Sequence, residues 1–214
     1  MKALLVTMQQ KLEKLDSNKL QVLFDNVILN MTSHDKILGV FVDNNLFWSI
    51  HIKHVSKMFH SYLWLLRKIN TYILQYSVIF YEGYIQSYLD YCNVICGNTT
   101  YSNTTLLRLQ KGACHFILDQ CIDNFQDALN NIKILTIQER IFLRKVRLIY
   151  KVSRKAIPVY LSNIFHQRDA DGTPNLRSIR SKNYIIPWPK EELFKKSFQY
   201  TGPLVWNNIP SDIR

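Results

Sequence analysis

The stretch from Lys133 to Lys155 reads K-I-L-T-I-Q-E-R-I-F-L-R-K-V-R-L-I-Y-K-V-S-R-K and predicts an amphipathic helix. Thr136 and Glu139 form a capping-box pair at its start, and Pro158 is expected to stop it. The cations recur at spacings of four, three and four, which predicts one narrow helix face, here called the basic stripe: Arg140, Arg144, Arg147 and Lys151. Apolar residues are expected on the opposite side, against a core: Ile141, Leu148, Ile149 and Val152.

Two interpretations of the basic stripe are open. A row of cations about four turns long, carried by a packed helix, is suited to following the phosphates of a nucleic acid. A solvated surface helix produces the same pattern without any partner.

The distribution of charge favours the first interpretation. The net charge is +11, and it is uneven: residues 1–131 carry 11 Lys and Arg against 10 Asp and Glu, whereas residues 132–214 carry 16 against 6. The basic surface therefore belongs to the C-terminal part, and a polyanion is the expected partner. An acidic membrane is the weaker alternative, because the apolar face of the helix lacks bulky interfacial aromatic residues.

Composition indicates a globular protein inside the cell, in the nucleus or cytoplasm. The chain has 214 residues with only six glycines and six prolines, which argues against disorder. Four cysteines without dense spacing favour a reducing compartment: Cys92, Cys96, Cys114 and Cys121. The apolar run at the start is too short for a signal peptide, and no stretch approaches a membrane span.

The first 45 residues predict a small antiparallel sheet. Residues 3–15 read as a short strand followed by a helix or long turn, and Leu20 to Leu29 as two strands joined by a turn at Asp25-Asn26. The segment K-I-L-G-V-F-V, residues 36–42, predicts one further strand.

From Ile50 onward the apolar period becomes helical. Helices are predicted from there to about residue 69, at 75–91, and at 104–118 with Ser102 or Asn103 as cap, before the basic helix. Residues 169–174 read as a linker, and short helices are expected after Pro189 and Pro203. The predicted class is α+β, mostly α. The predicted domains are a sheet at 1–47, a helical domain at 48–168, and a linker with a packed C-terminal extension at 169–214.

Five ordered segments resemble the C-terminal part of reverse transcriptases of jockey-like non-LTR retrotransposons. They read K-I-L-G-V with D-x-x-L-x-W-x-x-H-I at 36–52, Y-I-Q-S-Y-L-D-Y-C at 84–92, and L-x-x-L-Q-K at 106–111. The basic helix with P-x-Y-L at 158–161, and S-F-x-x-x-G-P-x-x-W-N-x-I-P-x-x-I-R at 197–214, complete the match. The resemblance implies the end of a polymerase palm, a thumb and a C-terminal extension.

Two departures from that family bear on activity. The family's aromatic-x-Asp-Asp turn, which holds magnesium, has no counterpart here. The segments F-V-D-N at 41–44 and Y-L-D-Y at 88–91 only look similar to it. Cys96 and His115 also replace the tryptophan and arginine usual in the family. A fragment without polymerase activity of its own is therefore predicted, with no cofactor and no small-molecule substrate.

Other chemical arrangements are weaker. His51 with His54, and Cys92 with Cys96, have spacings compatible with zinc, although the family motif already accounts for His51. Cys114 and His115 are expected on different helix faces and therefore do not predict a nucleophile with its base. A tyrosine stripe is expected to form a core seam rather than a surface on which bases stack: Tyr81, Tyr84, Tyr88 and Tyr91.

The resulting functional hypothesis is a thumb-like region that binds RNA or an RNA–DNA duplex by its backbone, by charge and shape. The predicted contacts are Arg140, Arg144, Arg147, Lys151, Arg154 and Lys155, with Lys53 and Lys57 as secondary contacts. No membrane and no metal take part in this hypothesis. The alternative is a non-enzymatic protein-interaction module, or an inert relic of a mobile element.

Overall fold

The computed structural model describes residues 2–7, 14, 21–70, 74–118, 124–167, 183–189, 191–210 and 214. The described chain is mostly helical, with small sheets near the N-terminus, so the predicted class is confirmed. It forms two compact units. The first comprises residues 1–92 with 99–123, and the second comprises residues 93–98 with 124–214. The domain boundaries predicted after residues 47 and 168 stay a prediction, and the predicted linker at 169–174 lies outside the described residues.

Five strands occupy the N-terminal part of the first unit: β1 (Lys2–Leu4), β2 (Val22–Phe24), β3 (Val27–Thr32), β4 (His34–Ile37) and β5 (Val40–Asp43). Strands β2 and β3 form the predicted hairpin, and both turn residues, Asp25 and Asn26, have positive φ of 50° and 62°. This is the combination that a two-residue turn between twisted strands requires. One pair departs from the antiparallel expectation, because β1 lies parallel to β3.

The segment predicted as a single strand at 36–42 is a second hairpin, formed by β4 and β5. Leu38 and Gly39 form its turn with φ of 48° and 85°. Glycine adopts such a φ without strain, whereas leucine rarely does. The Tyr91 hydroxyl donates a hydrogen bond to the Leu38 carbonyl. A residue 53 positions away therefore helps to hold the turn, which local propensity did not indicate.

The helices of the first unit are α1 (Ser49–Asn70), α2 (Leu74–Phe80), α3 (Gln86–Asp90) and α5 (Thr100–Leu118). A π-helical segment, Tyr81–Ile85, joins α2 to α3, so the helix predicted at 75–91 is present with an altered register. Helix α1 packs against α5. The buried apolar residues of the first unit include Ile52, Val55, Phe59, Leu63, Leu66, Tyr81, Ile85, Leu106, Leu109, Ala113 and Ile117.

Helix α5 begins four residues earlier than predicted, and the predicted cap was wrong. The Thr99 hydroxyl accepts a hydrogen bond from the Ser102 backbone N–H at 3.2 Å. Thr99 therefore caps the helix, and Ser102 is a buried residue of its first turn. Both side chains are buried, and the Thr99 hydroxyl is the one that accepts from a backbone N–H of the first turn.

The second unit contains α4 (Asn93–Cys96), α6 (Phe125–Asn131), α7 (Ile137–Ser153), α8 (Val159–Ser162), α9 (Glu192–Lys195) and α10 (Phe198–Asn208). The sequence did not predict α6, although Asn124 caps it by accepting from the Gln126 N–H at 3.1 Å. Pro203 lies inside α10 and is buried, whereas the helix was expected to follow it. Proline has no backbone N–H, so α10 lacks one backbone hydrogen bond at this position.

Tail residues of the matched W-N-x-I-P-x-x-I-R segment have structural roles. Trp206 is buried in a cluster with Ile149, Val152 and Tyr184. The Asn207 side chain bonds both backbone groups of Tyr184, accepting from its N–H and donating to its carbonyl, each at 2.9 Å. The Arg214 guanidinium donates to the Ile209 and Asn207 carbonyls at 2.7 and 2.8 Å. These packing contacts and hydrogen bonds therefore hold the tail against other residues of the second unit.

The cap of α7 provides a local test of stability. Replacing Thr136 by alanine is expected to cost about 1 kcal/mol, because the Glu139 N–H loses the threonine hydroxyl that accepts its hydrogen bond. Amide exchange at Glu139 should accelerate, and the midpoint of urea unfolding should fall. Thr136→Ser keeps the hydroxyl and serves as control. Equal exchange rates in the alanine variant and the native chain would contradict the role of this cap.

Candidate nucleic-acid interface

The start of helix α7 is fixed by hydrogen bonds between two of its neighbouring residues, Thr136 and Glu139. The Thr136 hydroxyl accepts from the Glu139 N–H at 3.2 Å, and Glu139 Oε2 accepts from the Thr136 N–H at 2.8 Å. The Glu139 carboxylate also stands in the first turn, where the helix dipole favours negative charge. The predicted capping box is thus confirmed. The helix ends at Ser153 with Arg154 as C-cap, five residues before Pro158.

One side of α7 is buried in the second unit. Its buried residues are Ile137, Ile141, Ile149 and Val152. Helix α10 packs against α7, and Ile149 and Val152 belong to the cluster around Trp206. A helix packed in this way holds its exposed side chains on a fixed backbone, which is the first requirement of a binding surface made of long cations.

The basic stripe lies on the solvent side of α7. Arg144, Arg147 and Lys151 are exposed, and Arg140 is half-buried. Among the residues that the structure describes, Arg147 and Lys151 form no ion pair with a carboxylate. Their charges are therefore not neutralised by described neighbours.

The stripe is not opposite the buried face, as the sequence analysis expected, but beside it. At 100° per residue, the four cations centre about 105° from the four buried residues. The sector about 175° from the buried residues instead carries Leu143 and Tyr150. These side chains are 38% and 43% exposed, and Phe142 nearby is 48% exposed. The exposed side of α7 is therefore cationic on one flank and apolar at its centre.

Arg154 and Lys155 extend the positive charge beyond the last turn. Arg154 Nε donates to the Tyr150 hydroxyl at 3.2 Å, and its guanidinium carbon lies 5.4 Å from the centroid of that ring. Lys155 is exposed and has φ of 53°. Cations at this end of a helix are favoured by its dipole. Arg154 and Lys155, which were predicted to join the stripe, therefore both lie at the C-terminal end of α7.

Lys145 is a cation of α7 that the sequence analysis did not single out. It is half-buried, and burial lowers the pKa of its ammonium group. The spacing contained a signal, because position 145 lies four residues after Ile141 and four before Ile149 on the packed side. Lys145 is therefore not a member of the basic stripe.

Lys53 and Lys57, the predicted secondary contacts, are both exposed on α1. They stand four residues apart and so share one face of that helix. They belong to the first unit, whereas the basic stripe belongs to the second. The two sets are separate cationic features, each on its own helix.

Two aspartates that look similar to polymerase ligands occupy buried positions. Asp43 is 7% exposed, and its Oδ1 accepts from the Phe47 N–H at 2.8 Å in the turn before α1. Asp90 is 5% exposed at the end of α3. Asp43 thus has a structural hydrogen-bond partner.

Within the described ranges, no group of three or more His, Cys, Asp or Glu side chains could hold a metal ion. Among the described residues, Cys92, Cys96 and Cys114 form no disulfide, whereas Cys121 lies outside the described residues. Burial raises the pKa of the Cys114 thiol to about 12, while neighbouring His115 is exposed. Cys114 is thus a packing residue of α5.

The tyrosine stripe expected to be a core seam is only partly buried. Tyr81 is fully buried, but Tyr84 and Tyr91 are 60% and 51% exposed. The π-helical segment explains the difference, because i→i+5 bonding rotates the residues after Tyr81 out of the α-helical register. Tyr84 stacks on Phe80 with ring centroids 5.0 Å apart.

Comparison of the chain with protein-family models, with curated proteins and with solved structures found no match. The resemblance to reverse transcriptases consequently stays a prediction from the quoted residues. In the described part of the chain, no helix has both the length and the apolarity needed to cross a membrane.

Proposed function

We propose that this chain binds RNA or an RNA–DNA duplex through the phosphate backbone, with the basic stripe of α7 as the principal contact. The observation that carries the proposal is the set of cations along one flank of a capped helix whose adjacent face is buried. The net charge of +11, concentrated in residues 132–214, adds long-range attraction to a polyanion. The quoted resemblance to the thumb of non-LTR retrotransposon reverse transcriptases agrees with this function.

The chemistry of the stripe suits phosphate recognition. Arginine presents a planar set of donors that can bond two oxygens of one phosphate, and three of the four stripe residues are arginines. A helix of 17 residues is about 25 Å long, so contacts spread over several successive phosphates. Such contacts carry no base information, and recognition follows charge and duplex shape. Lys53 and Lys57 are proposed as secondary contacts, and Arg154 and Lys155 extend the stripe. The proposal is of binding without catalysis.

Salt dependence is the direct test of phosphate binding. Titration of a fluorescent RNA–DNA duplex at several potassium chloride concentrations should give a straight line of log Kobs against log salt. Each phosphate contact contributes about −0.9 to its slope, so four contacts predict a slope on the order of −4. A slope near zero, with binding retained, would contradict the proposal.

A protein-interaction module is the second candidate, and a specific observation favours it. The centre of the exposed side of α7 carries Leu143 and Tyr150, and the exposed Phe142 lies on the flank away from the stripe. Exposed apolar side chains in one sector are typical of surfaces that dock another protein. This candidate predicts no steep salt dependence with a duplex, so the same titration separates the two functions.

A further inference from the structure

A pocket of about 340 Å³ lies within the first unit, apart from the basic stripe. Its walls come from the β4–β5 hairpin, from the first two turns of α1, and from α3 with the residues that follow it. The volume is in the range of small-molecule sites. Its lining combines cationic, hydroxyl and aromatic side chains, among them Lys36, His51, His54, Ser87, Tyr88 and Tyr91.

His51 is the unusual member of this lining. Its side chain belongs to a residue only 3% exposed, and its Nδ1 has no hydrogen-bond partner. Burial, and to a smaller extent the neighbouring His54, lowers the pKa of the His51 imidazole. A buried ring nitrogen without a partner is uncommon in folded proteins and calls for an explanation. An oxyanion in the pocket would supply the missing partner and would offset the repulsion between the two imidazoles.

The charges around the pocket are of one sign. Lys36 is exposed on β4, and its Nζ lies 5.4 Å from the centroid of the Phe41 ring. The Phe41 ring contacts the His54 imidazole edge-on, with centroids 5.1 Å apart. No Asp or Glu lines the pocket in the described part of the chain, and the first turn of α1 contains no acidic residue. An anion is therefore the favoured kind of ligand.

Two hydroxyl groups of the lining are already used. Tyr91 donates to the Leu38 carbonyl, and Ser87 Oγ donates to the Tyr84 carbonyl at 2.8 Å. The imidazoles, the ammonium group and the Tyr88 hydroxyl are therefore the donors that remain for an oxyanion. The aromatic rings of Tyr88 and Tyr91, with Val55, provide apolar surface for the body of a ligand.

From this arrangement we propose that the pocket binds a small aryl phosphate monoester without changing it chemically. The phosphoryl oxygens would face His51, His54 and Lys36, and the aromatic body would lie against Tyr88 and Tyr91. A dianionic phosphoryl group matches the Lys36 ammonium and the imidazole N–H donors together better than a single carboxylate does. This inference does not depend on the proposed function, because the basic stripe belongs to the other unit. The sequence analysis predicted no small-molecule substrate. The proposal adds a small molecule that is bound but not converted.

Phenyl phosphate is the probe, added to the full chain. Two-dimensional ¹H–¹⁵N spectra of the histidine rings should show saturable shifts of His51 and His54. Phenol, which lacks the charge, should produce much weaker shifts, and inorganic phosphate should bind more weakly than phenyl phosphate. Shifts that do not saturate, or equal binding of phenol, would overturn the proposal.

Two variants test the donors. Lys36→Gln changes an exposed residue and should weaken phenyl phosphate at least about tenfold, as expected for a charge-assisted contact. His54→Gln should weaken it comparably. The matched control is Lys68→Gln, which removes one exposed cation of α1 outside the pocket and should leave the affinity unchanged. Unchanged affinity in both pocket variants, or an equal loss in the control, would overturn the site.

Discussion

Changing Arg140, Arg144, Arg147 and Lys151 together to glutamine should abolish most of the salt-dependent affinity for an RNA–DNA duplex. Each phosphate contact that is lost removes about 0.9 from the slope of log Kobs against log salt, so the slope should flatten by about 3 to 4. The cause is the loss of counterion release, not of base contacts. The measurement is a fluorescence anisotropy titration at several salt concentrations, with the native chain alongside.

A matched variant separates this role from general charge attraction. Replacing four exposed cations elsewhere removes the same charge from the chain: Arg108, Lys111, Lys195 and Lys196. This control should change the slope far less than the stripe variant does. Equal losses in both variants would mean that binding follows net charge and that α7 has no special role. The melting temperature of the stripe variant should also be recorded, because Arg140 is half-buried.

Trp206→Ala is expected to have the largest effect on stability, on the order of 3–5 kcal/mol. Trp206 is 4% exposed, and its ring packs edge-on against Tyr184 with centroids 6.0 Å apart. Ile149 and Val152 of α7 complete the buried cluster, so truncation leaves a cavity between α7 and α10. Urea unfolding followed by circular dichroism should show a lower midpoint.

Trp188 provides the matched control for this substitution. It belongs to the same C-terminal segment but is 90% exposed. Trp188→Ala should therefore change the free energy of unfolding by no more than about 0.5 kcal/mol. Similar midpoints for both variants would contradict the packing of the tail on α7.

The stripe variant and the Trp206→Ala variant can also be compared with each other. Because α7 carries both the basic stripe and part of the Trp206 cluster, Trp206→Ala should loosen the backbone that holds the cations. Duplex affinity should then fall in this variant, whereas the stripe variant should keep the folded tail. Loss of affinity without loss of stability is therefore specific to the cations.

Signals confined to a few neighbouring residues were predicted correctly from the sequence. The Thr136–Glu139 capping box and the Asp25-Asn26 turn both appear as expected. The apolar period was also predicted to become helical near residue 50, and α1 begins at Ser49. Each of these depends on hydrogen bonds or apolar spacing within about one helical turn or one tight turn. The chain that surrounds them does not alter that geometry.

Features that depend on distant partners were missed. The Leu38-Gly39 turn is held in part by the hydroxyl of Tyr91, 53 residues away. Pro203 is accommodated inside α10 in the buried core of the second unit. Local propensity could not indicate these outcomes, because the deciding contact comes from elsewhere in the chain.

For the candidate sites, the sequence alone determined which residues are charged and that the stripe shares one helix face. Only the tertiary structure decided which sector of α7 is buried, and so placed the stripe beside the packed face with Leu143 and Tyr150 opposite it. It also brought His51 and His54 next to Lys36 of another element, forming a pocket that the sequence did not predict. Residue order sets helical spacing, whereas burial and the meeting of distant side chains are set by packing.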